Sequence, residues 1–144
     1  MGIKSKTLKS FVVVIVVVQY GNKYLLLKRT SKRRFFPDKW QTVSGFIKEY
    51  ESVEEAAHRE MKEETGLKGE IIKFGKIFIT LTDKERWINI LILVKTKSNK
   101  VQIDPKEHTQ YIWIKEKKDL DNLELVKGVD KDFKYLDIFK HFFK

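Results

Sequence analysis

Glu60, Glu63 and Glu64 fall within one helical turn and a half of each other, inside the run GFIKEYESVEEAAHREMKEETGL from Gly45 to Leu67. At about 100° per residue, Val53, Ala56, Ala57, Glu60, Glu63, Glu64 and Leu67 share one stripe, while Glu54, His58, Lys62 and Thr65 point away. The stripe starts and ends apolar, and its alanines allow close approach to a sheet. Glu60 and Glu64 are a like-charged i,i+4 pair, unfavourable by roughly a few tenths of a kcal/mol in water and by more when covered. A divalent cation reverses that sign, because hard cations prefer carboxylate oxygens and keep places for water and phosphate. The alternative is a charged helix surface with ordinary ion pairs. Glu55 and Arg59, correctly ordered at i,i+4, fit that alternative; the three acids do not, since no lysine or arginine shares their stripe.

Local signals frame this helix. Ser52 and Glu55 form an S-x-x-E capping box, so the helix starts near Val53, and Gly66 is its stop signal. Phe11 to Val18 is a run of Val and Ile after a Phe, the composition of a strand buried on both faces. Tyr20-Gly21-Asn22 reads as a turn and Lys23 to Arg29 as the second arm of a hairpin. A basic loop, Thr30 to Lys39, leads to a short strand, Trp40 to Val43. Beyond the helix, Ile71 to Leu81 and Arg86 to Lys95 read as strands joined at residues 82–85, followed by a strand Tyr111 to Ile114. Asp130 is expected to cap a last helix whose apolar stripe is Phe133, Leu136, Phe139 and Phe143.

Gly45, Glu51, Arg59, Glu60, Met61, Glu63, Glu64, Gly66 and Leu67 follow the spacing Gly, five residues, Glu, seven residues, Arg-Glu-apolar-any-Glu-Glu-any-Gly-apolar. This resembles the Nudix box, and every specified position matches. The resemblance implies an α/β Nudix fold, a mixed β-sheet sandwiched between α-helices, as a single domain over residues 1–144. It implies hydrolysis of a nucleoside diphosphate linked to another group, by attack of water on phosphorus with Mg2+, or with Mn2+ in its place. It assigns the metal to Glu60, Glu63 and Glu64, with the backbone carbonyl at Ser44 adding a ligand. Arg59 then orients a glutamate, and Glu60 or Glu63 takes the proton of the attacking water. An acid from a late loop often joins such sites; Glu107 suits that place, an ordinary surface glutamate being the alternative. His108 has no neighbouring histidine, which argues against zinc. Three residues depart from the common form: Ser44 stands for a glycine, Lys48 for an acid and Tyr50 for a flexible glycine.

Within the family, Trp40-Gln41-Thr42-Val43-Ser44-Gly45, with Glu107-His108 and Tyr111-Ile112-Trp113, is similar to dihydroneopterin triphosphate pyrophosphatases, many of which act on dATP. The expected reaction is Mg2+-dependent cleavage of a dNTP or dihydroneopterin triphosphate to monophosphate and pyrophosphate. The partner is then a small nucleotide or pterin polyphosphate. Two alternatives stand beside it: an RNA 5′-end pyrophosphohydrolase, and a nucleotide-binding module without catalysis.

The chain has 144 residues and a formal net charge of +10. With an acidic helix at the site, the positive excess lies elsewhere, where it steers polyphosphates, binds RNA or simply coats the surface with lysine. Arg29, ending a strand before the basic loop, is a candidate for phosphate contact, as is Lys32-Arg33-Arg34; Ser44 places a hydroxyl near the same phosphates. Phe35, Phe36, Trp40, Trp87 and Trp113 are candidates to stack on a base, with core or rim packing as the alternative. Cysteine is absent, which excludes thiolate chemistry and disulfides and fits a cytoplasmic location. The apolar run Phe11 to Val18 is too short to span a bilayer, so no membrane role is expected. Oligomeric state is left open.

Overall fold

A computed structural model describes residues 7–139. Its strands are β1 (Lys9–Tyr20), β2 (Lys23–Arg29), β3 (Trp40–Gln41), β4 (Val43–Phe46), β5 (Gly69–Phe74), β6 (Phe78–Leu81), β7 (Glu85–Thr96) and β8 (His108–Ile114). Its helices are α1 (Val53–Thr65) and the short α2 (Val129–Lys134), with a 3-10 turn at Lys117–Leu120. All eight strands belong to one mixed sheet. β1 and β7 run parallel along its middle, in register from Lys9 opposite Glu85 to Gln19 opposite Lys95. Every other pairing between these strands is antiparallel: β2 and β4 on β1, β3 and β8 on β2, β5 and β6 on β7.

The Val/Ile run of β1 is buried on both faces because each face has its own cover. Val14, Val16 and Val18 join Leu25, Leu27, Val43, Ile92 and Val94 beneath Ala56, Ala57 and Met61 of α1. Ile15 and Val17 turn the other way, joining Leu26, Leu91, Leu93 and Ile114 beneath Leu120, Val129 and Phe133. The period-two alternation of a strand thus feeds two cores, and the sheet lies between α1 and the α2 segment as expected.

The ends of α1 follow the local signals. Ser52 Oγ accepts the Glu55 N–H, Glu55 reaches back to the Ser52 N–H, and Gly66 closes the helix in a left-handed conformation (φ 73°). Two side chains face otherwise than the wheel predicts. Thr65 is fully buried, its hydroxyl bonded to the Met61 carbonyl, so it can enter the core as a satisfied group. Glu63 lies at the exposed edge, its side chain 52% accessible.

Other expectations need correction. The stretch Ile71 to Leu81 is two strands, not one, both on β7. Gly75 interrupts them, its N–H donating to the Leu91 carbonyl. A Cβ at Gly75 would lie 2.9 Å from the Leu136 side chain and from the Tyr135 carbonyl, so the C-terminal segment presses on the chain there. Trp40 to Val43 is likewise divided, β3 pairing with β2 and β4 with β1. The strand expected at Tyr111 begins at His108. The last helix is capped by Gly128 (φ 98°), Asp130 lies in its first turn, and it ends at Lys134. Leu136 is buried past that end and Phe139 stacks on Phe133, while Phe143 lies outside the described residues.

α2 is tied to the sheet by a buried polar contact, Thr42 Oγ1 donating to Asp132 Oδ2 at 2.9 Å. Burial, with a smaller contribution from Asp130, pushes the Asp132 carboxyl up to about 8; the Thr42 hydrogen bond opposes this. The unfolded chain releases this proton near its ordinary value of 3.8, while the folded chain keeps it. The Asp132 contribution to stability therefore falls as pH rises between those values. Asp132→Asn is expected to gain stability relative to wild type as pH is raised from about 5 to about 8. Urea midpoints of both proteins across that range check this, and parallel curves would contradict it.

Candidate metal and catalytic site

The site forms where β4 gives way to the loop before α1. Gly45 is needed by contact: a Cβ there would occupy the place of the Glu60 carboxylate. Glu60 thus lies flat against the strand.

Arg59 organises the near side. Its Nε and Nη2 hold Glu51 Oε2 and Oε1 at 2.6 and 2.9 Å, a bidentate pair. Its Nη1 reaches Glu60 Oε1 at 2.7 Å and Glu63 Oε2 at 3.3 Å, and Nη2 also donates to the Phe46 carbonyl. The Glu55–Arg59 pair expected on the helix surface does not form: Glu55 is used in the cap, and Arg59 turns to Glu51, Glu60 and Glu63. The Arg59 hydrogen bonds, helped by the Lys48 N–H, hold Glu51 down at about 2.

Tyr50 sits in this loop at φ 65° and is 96% exposed. The chain keeps a left-handed turn at the position where the resemblance leads one to expect glycine. A non-glycine residue is disfavoured there by roughly 1–2 kcal/mol.

Glu64 is the deepest acid, with only 2% of its surface exposed. Its Oε2 accepts the Ser44 N–H at 3.3 Å and its Oε1 lies 3.8 Å from His108 Nε2. Burial first, then the charges of Glu107 and Glu60, raise its carboxyl well above the ordinary range, with the Ser44 N–H as a small counterweight. Glu64, Glu107 and His108 offer ligand atoms that all lie within 4.8 Å of one another. A buried carboxylate with two acidic neighbours and few donors is what a divalent cation fits.

The structure therefore gathers Glu60, Glu64, Ser44 and Glu107, with Arg59 behind Glu60 and Glu63 on the rim. Glu107 is partly exposed and pairs with Arg33 at 3.4 Å, so the basic loop reaches the acids. Arg29 is placed differently from an open phosphate hook. It is buried, its Nη1 donating to Gln41 Oε1 at 2.7 Å and its Nε to the Phe35 carbonyl at 3.0 Å.

Gln41 and His108 were missed as site residues. His108 is fully buried, and burial, with Arg33 and Arg29 nearby, lowers it to about 4. Their sequence signal was their place in the Trp40–Gly45 and Glu107-His108 segments of the subgroup resemblance, which gave neither a role; the contact between them becomes visible once Arg29 is seen opposite His108 in the β2–β8 ladder.

A second feature borders the loop. Phe11 stacks on Trp87 (centroids 4.9 Å, 27°), and Phe46, directly after Gly45, lies 5.7 and 5.8 Å from those two rings. Phe46 is half exposed and borders an open cleft of about 510 Å3 lined by Ser10, Phe11, Val12, Phe46 and Ile47. Among the described residues no helix is long and apolar enough to cross a membrane.

A mixed sheet between helices, with one buried acid, Glu64, on the helix that follows a strand-to-glycine turn, defines an α/β domain with an acidic cluster able to hold a cation. The chain belongs to the Nudix family, whose domain model matches residues 9–135. Over 62 residues it is 42% identical to chloroplastic Nudix hydrolase 19 of Arabidopsis thaliana, covering 42% of this chain and 14% of that protein. Over 59 residues it is 39% identical to nucleoside triphosphatase NudI of Enterobacter sp. (strain 638), covering 41% of this chain and 42% of that one. The match thus spans less than half the length of either curated relative.

Solved structures agree in fold. A MutT protein from Methanosarcina mazei Go1 superposes with TM-score 0.72 at 23% identity, covering 96% of each chain. A MutT Nudix hydrolase from Burkholderia pseudomallei does so with TM-score 0.75 at 22% identity, covering 89% of this chain and 98% of that one.

Tyr50→Gly is expected to raise stability by about 1 kcal/mol, because relief of the left-handed strain exceeds the added freedom of the unfolded chain. Denaturant unfolding measures it; a loss of stability would show that the turn is not strained.

Proposed function

We propose that the chain is a hydrolase that cleaves a nucleoside-triphosphate-like substrate, a dNTP or dihydroneopterin triphosphate, to monophosphate and pyrophosphate. It acts as one domain over residues 1–144 and uses Mg2+. The observation that carries this is Glu64, buried between Glu60 and Glu107 with the Ser44 N–H as its hydrogen-bond donor. The relatives named nucleoside triphosphatase support the substrate class.

In this reading Glu60, Glu63, Glu64, Glu107 and the Ser44 carbonyl hold the cation. When bound, Mg2+ neutralises charge on the phosphates and acidifies the attacking water. Arg59 fixes Glu60 and Glu63 from behind while spending two of its nitrogens on Glu51, so Arg59 positions acids and does not touch substrate. Glu63, at the exposed edge and held by one 3.3 Å contact, is free to take the proton from water. Ser44 offers its hydroxyl to the phosphates. Arg29 adds positive charge behind them rather than a fork, since its Nε and Nη1 are already engaged. Phe46, whose carbonyl Arg59 holds, presents the aromatic platform with Phe11 and Trp87 on which a base stacks.

The test is a panel of dNTPs, dihydroneopterin triphosphate and 5′-triphosphate RNA with Mg2+, with products identified and the reaction run in 18O-water. Pyrophosphate and a nucleoside or pterin monophosphate are expected. Glu60→Gln and Glu64→Gln are expected to cut turnover by about a hundredfold or more. Phe46→Ala is expected to raise KM about tenfold with little change in kcat. Failure to turn over any polyphosphate would remove the proposal, and turnover confined to RNA would move it to RNA ends.

A further inference from the structure

The basic loop between β2 and β3 is pinned at its base and again beyond its first turn. The Arg29 N–H donates to the Lys39 carbonyl at 2.9 Å and the Thr30 N–H to the Glu107 carbonyl at 3.1 Å. A turn follows, the Arg33 N–H donating to the Thr30 carbonyl at 3.3 Å, and the buried Arg29 holds the Phe35 carbonyl through Nε at 3.0 Å. These anchors sort the cations of the loop. Arg34 lies over the Phe35 ring, 5.2 Å from its centroid, and Lys39 over Phe36 at 5.9 Å. Lys32 is exposed. Arg33, less exposed than either of its chain neighbours, is the one turned to the acids, its Nη1 3.4 Å from Glu107 Oε1.

That contact is weak and contested. It is one N–O approach rather than a fork, and the two side chains keep 32% and 42% of their surface exposed. Pairs of this kind contribute little. Arg29 is near enough for its guanidinium to feel the like charge of Arg33. Glu107 faces a second claim. Its ligand atom lies within 4.8 Å of one on Glu64, and its charge acts on the Glu64 carboxyl. Glu107 has a single negative charge to share. A divalent ion held with Glu64 draws on that charge and sets its own positive charge against Arg33.

We propose that Arg33 is a substrate-binding residue that Glu107 holds until a cation takes this carboxylate, and that Arg33 then turns to the phosphates of the substrate. The inference rests on the metal assignment under Proposed function and adds a coupling to it. Once Glu107 is taken, Arg33 stands beside Arg29 without a counter-charge, and a polyphosphate reaching the ion brings oxygens that a guanidinium binds in a fork. Metal and polyphosphate then bind with positive cooperativity through this side chain, each favouring the other to the same extent. Only the side chain moves, because the backbone on either side of Arg33 is tied to Glu107 and to Arg29.

Mn2+ is the metal probe, with free ion counted by EPR, and α,β-methylene-dATP is the polyphosphate probe. In the nucleotide-free protein Arg33→Gln is expected to tighten Mn2+ binding about three- to fivefold, the scale of an exposed ion pair. The same substitution in a Glu107→Gln background is expected to change Mn2+ affinity much less, a difference that isolates the Arg33–Glu107 term. Arg33→Gln should weaken the analogue about tenfold at saturating Mn2+ and hardly at all without metal. Equal effects of Arg33→Gln on Mn2+ in both backgrounds, or an equal effect from Arg34→Gln, would reduce Arg33 to diffuse charge and overturn the inference. A loss of analogue affinity that is the same with and without Mn2+ would overturn it too. Either result leaves the metal assignment standing if Glu64→Gln abolishes Mn2+ binding; Mn2+ binding indifferent to Glu64→Gln would overturn both.

Discussion

A carboxylate removed from water without a compensating charge is the constraint around which this molecule is arranged. Glu64 lies under the β4 strand and receives a single backbone N–H there, while Glu60 and Glu107 bring further negative charge. Such a group is unfavourable in a folded protein unless it is protonated or bound to a cation. Much of the surrounding structure serves to keep it so placed. Ala56 and Ala57 let α1 approach the sheet, Gly45 leaves room for Glu60, and Met61 anchors the helix in the core.

The arginines around the site pair with its outer acids and leave the inner one, Glu64, to a backbone N–H. Arg59 pairs with Glu60 at 2.7 Å and with Glu63 at 3.3 Å, and gives its other two nitrogens to Glu51, outside the cluster. Arg29 is close yet bonded to neutral oxygens, those of Gln41 and Phe35. Arg33 touches Glu107 at its exposed side. Together these cations surround the acids with positive charge and, among the described residues, make no hydrogen bond to Glu64.

What the sequence disclosed and what it hid follow the range of the interactions. The cap, the stop and the acid spacing of α1 are local, written within a few residues, and the structure reproduces them. The both-faces burial of β1 was legible because Val and Ile run without alternation. Thr65 went astray because its hydroxyl is satisfied by its own helix, which a wheel of polar and apolar letters does not show. The break at Gly75 depends on the C-terminal segment pressing on it, and the splitting of residues 40–46 on two different partner strands; neither leaves a local mark. The Arg29–Gln41–His108 chain joins residues 12 and 67 positions apart, so no window along the sequence contains it.

The most direct measurement is calorimetric titration of Mn2+ into the protein just above the ordinary carboxylate range, in two buffers of different ionisation enthalpy, for wild type and Glu64→Gln. Metal that displaces a proton from a buried acid releases it to the buffer. The account predicts proton release on binding to wild type, with both release and tight binding lost in Glu64→Gln. Binding of equal strength to the two proteins, with no proton released by either, would contradict it.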